Sequence, residues 1–222
     1  DLKMKYIAHS ENADGVSQTM QEHSTGVGKF MRDFALSESF ADLYEFCGLI
    51  HDIGKYSTDF QRHVSGESNK VRHSIYGAVF AMNQSLFDVA ITVYGHHSGL
   101  PDRPKMLLDM KAEQNSTKSA YDEICRAWKE DTANQIVIPE DKVFQNIPDV
   151  LQKELLVRML YSSLVDADSL DTEKHFTKDR FNARNRQKLD IDYLLNQLQQ
   201  KRLIPFANDP EKRKRTIQSG CR

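Results

Sequence analysis

Apolar residues recur along this chain at steps of three and four, the spacing that places them on one face of an α-helix, and almost nowhere at the alternating spacing of a strand. Val16, Met20, His23, Val27, Phe30 and Phe34 form the first such stripe, with His23 on its inward side. A second helix is expected over Glu38 to Lys55, where Phe40, Leu43, Cys47, Ile50 and Gly54 keep the same rhythm and put His51 and Asp52 in its last turn. Arg72 to Asn83 reads as a third. The run Leu86 to Tyr94 leads to His96 and His97, and Gly95, Gly99 and Pro101 end that element in a turn.

Leu107 to Lys129 is expected to be helical, with Tyr121, Ile124 and Trp128 restoring a stripe near its end. Asp131 to Pro148, which holds Pro139 and Pro148, reads as an irregular excursion. Val150 to Leu170 is apolar on more than one side (Leu151, Leu155, Val157, Leu160, Leu164) and is expected to be a central helix surrounded by others; it carries Asp166 and Asp168. Ile191, Leu194, Leu195 and Leu198 mark one more amphipathic helix, closed by Pro205. The expected class is therefore all-α.

Length and composition narrow this further. The 222 residues allow one large domain or two small ones, and 39% hydrophobic with 28% charged residues is ordinary globular composition. We expect a domain over residues 1–204 and a polar, basic tail or linker over 205–222. Thirty Lys and Arg against 32 Asp and Glu, a net charge of −2, give no chain-wide grip on a polyanion. No apolar run is long enough to span a membrane, since Asp42, Glu45 and Asp52 interrupt the best one. The opening DLKMKYIAHS lacks the apolar stretch of a secretory signal, and a start at Asp1 reads as a trimmed end. Cys47, Cys125 and Cys221 are too far apart for a metal knuckle and odd in number for a disulfide framework, which points to a reducing, cytoplasmic setting.

The chemistry lies in the histidines. There are eight, and any one alone is more simply a packing or hydrogen-bonding residue. His51 and Asp52 in GLIHDIGK, His73 in RHS, His96 and His97 in GHHSGLP, and a carboxylate in LVDADSLDTE together make a set that packing explains poorly and metal binding explains well. Imidazole with carboxylate suits divalent first-row ions such as Mn, Fe, Co, Ni or Zn, whereas Mg sites are built almost wholly of oxygen. The number of ligands suggests two ions, with Asp52 leaning from the first toward the second. Two ions about 3.5–4 Å apart activate water and stabilise both oxygens of a phosphodiester displacement. Lys55, four residues after His51, shares its face on a continuing helix and is expected to neutralise phosphate charge; a lysine placed at a helix C-terminus is the plainer reading. His9, His63 and His175 are left as surface or packing residues. GVGK at residues 26–29 is no phosphate loop, because His23 stands where its first glycine belongs and Phe30 where Ser or Thr belongs.

GLIHDIGK followed by separated His, His-His and Asp resembles the histidine-aspartate (HD) metal-dependent phosphohydrolase superfamily. With YIAHS, His23, HDIGKYSTDFQRHV, RHSIYGAVFA, YGHHSGLPD and LVDADSLDTE in that order, about residues 6–175 resemble the HD nuclease domain of the CRISPR type I helicase-nuclease. The resemblance implies an HD helical bundle with a dinuclear metal site between its central helices. It implies that His23, His51, Asp52 and Asp168 surround one ion and that His73, His96, His97 and again Asp52 surround the other. Asp166 competes with Asp168, which is preferred because an Ala-Asp dipeptide recurs there in the superfamily. His51, Asp52 and Lys55 are the expected catalytic residues. The cofactors implied are two divalent transition-metal ions (Mn, Ni, Co or Fe in preference to Mg). The implied function is metal-dependent cleavage of DNA, preferring single strands, as endonuclease or exonuclease in CRISPR antiviral defence. The implied partners are a superfamily 2 helicase domain or subunit and an RNA-guided surveillance complex.

Two rivals share the metal reading. An HD-GYP-like cyclic-dinucleotide phosphodiesterase also uses HDIGK and paired histidines, but Leu100 stands where its tyrosine belongs. A non-catalytic module with a structural metal seldom needs so many ligands.

Overall fold

The computed structural model describes residues 6–67, 71, 73–116, 118–132, 136–139, 144, 146–184 and 190–200. Thr19 starts the first helix. Its hydroxyl accepts from Glu22 N at 3.2 Å while Glu22 Oε2 accepts from Thr19 N at 2.9 Å, a reciprocal cap that fixes the start of α1 (Met20–Phe34). Val16, expected on the α1 stripe, lies ahead of the cap and is exposed. The strands β1 (Ile7–His9) and β2 (Gln18–Thr19) pair antiparallel just before it. Gln61 extends this ribbon: it accepts from Ile7 N at 2.9 Å and donates to Ile7 O at 3.0 Å and Lys55 O at 2.7 Å.

α2 spans Glu38–Ile50, so the helix expected to run on to Lys55 stops before His51. Asp52 leaves the helical region (φ −115°, ψ 20°), and the chain tightens into a 3₁₀ helix over Ile53–Tyr56 with Lys55 N donating to Asp52 O at 2.9 Å. Packing is close here: a Cβ at Gly77 would fall on the carbonyl oxygen of Ile50, and one at Gly54 on that of His73. Next come α3 (Thr58–Val64), capped by Ser57, then α4 (Ser74–Asn83) and α5 (Phe87–Gly95). The stretch expected as one helix is two, α6 (Arg103–Ser116) and α7 (Lys118–Asp131).

The long helix α8 (Val150–Phe176) is capped by Asp149 and runs six residues past its expected end at Leu170. Its burial also differs from expectation. Leu160, Leu164, Ala167 and Asp171 form one buried stripe against α1, α2 and α5, whereas Val150 and Leu151 are 78% and 75% exposed and Leu155 is exposed too. Its first turns precede that stripe, so the helix is covered on one face along its second half and is not surrounded. α9 (Lys178–Ala183) follows directly.

The described residues divide into two compact units between Asn182 and Ala183. The second contains α10 (Ile191–Leu198), whose start is capped by Asp190 accepting from Tyr193 N at 2.9 Å. Pro205 and the basic tail 205–222 lie outside the described residues, as does Cys221; Cys47 and Cys125 are free thiols. Among the described residues the fold is all-α with one small ribbon, and no described helix is long and apolar enough to cross a membrane.

Two glycines make the α1–α2 crossing. A Cβ at Gly48 would lie 2.8 Å from Gly28 Cα, and one at Gly28 would lie 3.2 Å from Leu49. The glycines of GVGK are thus helix-packing residues. Gly48→Ala is expected to cost about 1–3 kcal/mol through overpacking, read as a lower urea midpoint. Alkali supplies a second test of the core. Burial, with Cys47 beside it, pushes the Tyr44 phenol up to about 12. A raised folded pKa adds stability that is complete below the unfolded value near 10. Tyr44 should therefore make urea stability decline between about pH 10 and about 12, and Tyr44→Phe should flatten that part of the alkaline decline.

Candidate metal centre

Helix ends deliver most of the site. His51 follows the last residue of α2, His73 precedes α4, and His96 and His97 follow α5. His23 comes from the buried stripe of α1 and Asp168 from α8. His23, His51, Asp52, His73 and His96 are buried, and His97 is exposed.

The imidazoles are turned the same way. His51 Nδ1 lies 2.7 Å from Gly48 O, His96 Nδ1 2.6 Å from Val93 O, and His73 Nδ1 3.3 Å from Val71 O. A carbonyl only accepts, so each Nδ1 carries a proton and each Nε2, which holds the lone pair in the neutral ring, is the nitrogen turned inward. His23 follows the pattern with a side chain as acceptor, Asp171 Oδ2 at 2.8 Å.

These Nε2 atoms converge on Asp52, whose two oxygens face different partners. Oδ2 lies 3.4 Å from His23 Nε2 and 3.2 Å from His51 Nε2; Oδ1 lies 3.1 Å from His73 Nε2 and 3.4 Å from His96 Nε2. Asp168 Oδ1 stands 3.4 Å from His23 Nε2, and His97 Nε2 2.8 Å from His73 Nε2. Two groups result, His23, His51, Asp52 and Asp168, and Asp52, His73, His96 and His97; within each, the donor atoms all lie within 4.8 Å of one another. Donors bound at about 2.0–2.2 Å to one ion stand roughly 3–3.5 Å apart, so the spacing suits a cation in each group.

Orphaned atoms make the same case. His23 Nε2, His51 Nε2, His96 Nε2 and both Asp52 oxygens are buried without a hydrogen-bond partner. Each would cost about 1–3 kcal/mol if nothing met it. A divalent cation in each group satisfies all five between them, and imidazole with carboxylate is the right donor chemistry for it.

Electrostatics agree. Burial alone would lower the His51 pKa, but Asp52 and Asp168 outweigh it and push it up to about 10. Burial opposes ionisation of Asp52, yet His51, Lys55 and His73 hold its carboxyl well below the usual range, and Asp168 is lowered too, against its own burial, chiefly by His51. Partial desolvation of its ring, then His96, pushes His97 down to about 4. The field favours positive charge at the centre and lone pairs at its rim.

Lys55 is buried, but not on a continuing helix as expected. Its Nζ lies 2.8 Å from Asp52 Oδ2 as a charge contact and donates to Ala8 O at 3.4 Å. As the plainer expectation has it, the lysine does lie at a helix C-terminus, in the last turn of the 3₁₀ helix Ile53–Tyr56. Asp166 is exposed and belongs to neither group, whereas Asp168 belongs to the first. His175 donates to Ser10 O at 3.0 Å, and His63 stands edge-on to Phe60. His9 is closer to the site than its sequence placing suggested: its ring meets the His23 ring edge-on, centroids 4.7 Å apart. Burial, then Lys55 and His23, push it down to about 3. Asp171, three residues after Asp168 on the same face of α8, was not singled out either, although that spacing is a usable signal.

A histidine-aspartate pair at the end of a buried helix, ringed by further imidazoles that share its carboxylate, defines an HD-type metal-dependent hydrolase. No curated protein matches the chain. The family model described as Cas3, HD domain matches residues 3–158, well over half of the 222 residues, and the chain belongs to this family of CRISPR-associated, metal-dependent nuclease domains. Asp168 and Asp171 lie past the matched stretch.

Because Asp52 alone belongs to both groups, Asp52→Ala is expected to abolish binding of both ions and His97→Ala to weaken only one. Elemental analysis after dialysis against Mn²⁺ reads this directly: two ions per chain for the wild type, none for Asp52→Ala, about one for His97→Ala.

Proposed function

We propose that this chain is the nuclease domain that cuts single-stranded DNA during CRISPR interference, using two divalent transition-metal ions held by His23, His51, Asp52 and Asp168 and by Asp52, His73, His96 and His97. The observation that carries this reading is the buried, orphaned donor set divided between the two oxygens of Asp52. When bound, such ions supply an activated water and offset the negative charge that develops on the phosphodiester oxygens.

The chain's own residues do the rest. Carbonyls of Gly48, Val71 and Val93 fix the tautomer and direction of His51, His73 and His96. Asp52 bridges. Lys55 balances the Asp52 charge from the side of β1, adding positive potential where a phosphate arrives. His97 is the exposed ligand, so the group it belongs to faces the incoming strand. Ordering all these groups before substrate binds removes their reorganisation from the reaction.

A net charge of −2 suits a domain that receives its strand from partners rather than gripping it alone. The partners we propose are a superfamily 2 helicase domain or subunit and an RNA-guided surveillance complex, in the cytoplasm. The nuclease domain in this reading spans residues 1–204.

The test is cleavage of circular single-stranded DNA with Mn²⁺, Ni²⁺, Co²⁺, Mg²⁺ or EDTA, beside a cyclic-dinucleotide substrate. Opening of the circle with a transition metal, lost with EDTA and in His51→Ala and Asp52→Ala, is the expected result. Lys55→Ala should lower turnover more than metal content. An intact circle with turnover of the dinucleotide would overturn the reading in favour of the signalling phosphodiesterase.

A further inference from the structure

Three of the four buried imidazoles lean on neutral carbonyls; His23 leans on an anion. Its Nδ1 donates to Asp171 Oδ2 at 2.8 Å, and the same oxygen accepts from Gln18 Nε2 at 2.8 Å. Asp171 is 3% exposed, so little water screens its charge. It is also wedged in place: a Cβ at Gly26 would collide with its Oδ1, so α1 carries a glycine where this carboxylate enters. Gln18, Gly26, His23 and Asp171 come from β2, α1 and α8, and they meet on the side of His23 away from Asp52.

We propose that Asp171 is the positioning residue of the centre. Through His23 it makes the group of His23, His51, Asp52 and Asp168 the tighter of the two metal positions, filled before the group that contains His97. The reasoning is direct. An ionised acceptor on Nδ1–H pulls that proton outward and leaves more electron density on Nε2, raising its basicity toward a cation. It also locks the ring against rotation about its long axis. The other group lacks the charged acceptor, since His73 and His96 rest on neutral carbonyls and His97 is exposed. Two positions that share Asp52 are thus made unequal by a residue that touches neither ion.

This inference rests on the metal-centre reading above, and calorimetric titration with MnCl₂ alone separates the two. The proteins are the wild type, Asp171→Asn, Asp171→Ala and Asp166→Asn, which removes the same charge from an exposed position of the same helix. Asparagine keeps an oxygen for His23 and Gln18 while losing the charge. We expect two steps for the wild type. Asp171→Asn should weaken the tight step by about 10-fold and Asp171→Ala by up to about 100-fold, with the weak step and the urea midpoint of Asp171→Asn unchanged and Asp166→Asn matching the wild type. With Co²⁺ as probe, the visible absorption of the first equivalent should shift in Asp171→Asn while that of the second does not. An unchanged tight step in Asp171→Asn, or a loss shared equally by both steps with a lowered urea midpoint, would overturn the proposal; should Asp171→Ala not fold, Asp171→Asn decides. A wild type that binds no Mn²⁺ would instead overturn the metal-centre reading itself.

Discussion

Everything in this protein depends on one buried carboxylate. Asp52 lies in the interior with neither oxygen hydrogen-bonded, facing four imidazole nitrogens and one ammonium. A lone charge there would be among the most costly groups a fold can hold. The surrounding structure answers that cost with cationic character, and the helices end where they must to bring it: α2 stops at Ile50, α4 begins after His73, and α5 stops at Gly95. The bundle can be understood as a device for placing helix termini around one point.

Helix termini suit this work for a physical reason. The last carbonyls of a helix lack intrahelical partners, and a histidine just beyond the end can donate to one of them. His51 to Gly48 and His96 to Val93 are the same local move, a ring three residues past its acceptor. One bond thereby satisfies a carbonyl, selects the tautomer and aims the free nitrogen inward. The glycines serve the same end from outside, since Gly54 and Gly77 let α4 press close enough to bring His73 beside Asp52.

Much of this was legible in the sequence because donor atoms are carried by distinctive residue types. His23, His51, Asp52, His73, His96, His97 and Asp168 stand out in motifs, and the structure gathers them into two groups that share Asp52. The all-α class followed from periodicity. What stayed hidden depends on partners distant in sequence. The close approach of Gly54 to the His73 backbone and of Gly77 to the Ile50 backbone joins different elements, and no pattern within residues 38–55 reports it. Asp171 and His9 acquire meaning only through His23, 148 and 14 positions away. The exposed turns at the start of α8 misled for the converse reason: leucine and valine there obey helical spacing whether or not a neighbour covers them.

Gln61 shows how little chain the site uses to stay in order. A third strand beside β1 would have to immobilise several residues, each at an entropic cost of about 1–2 kcal/mol for its backbone. One glutamine amide instead offers Ile7 an acceptor and a donor and passes a further hydrogen bond to Lys55 O, from a residue already fixed in α3. The strand carrying His9 and the turn carrying Lys55 are thus held to one another by two side chains, Gln61 and Lys55 itself, whose Nζ donates to Ala8 O.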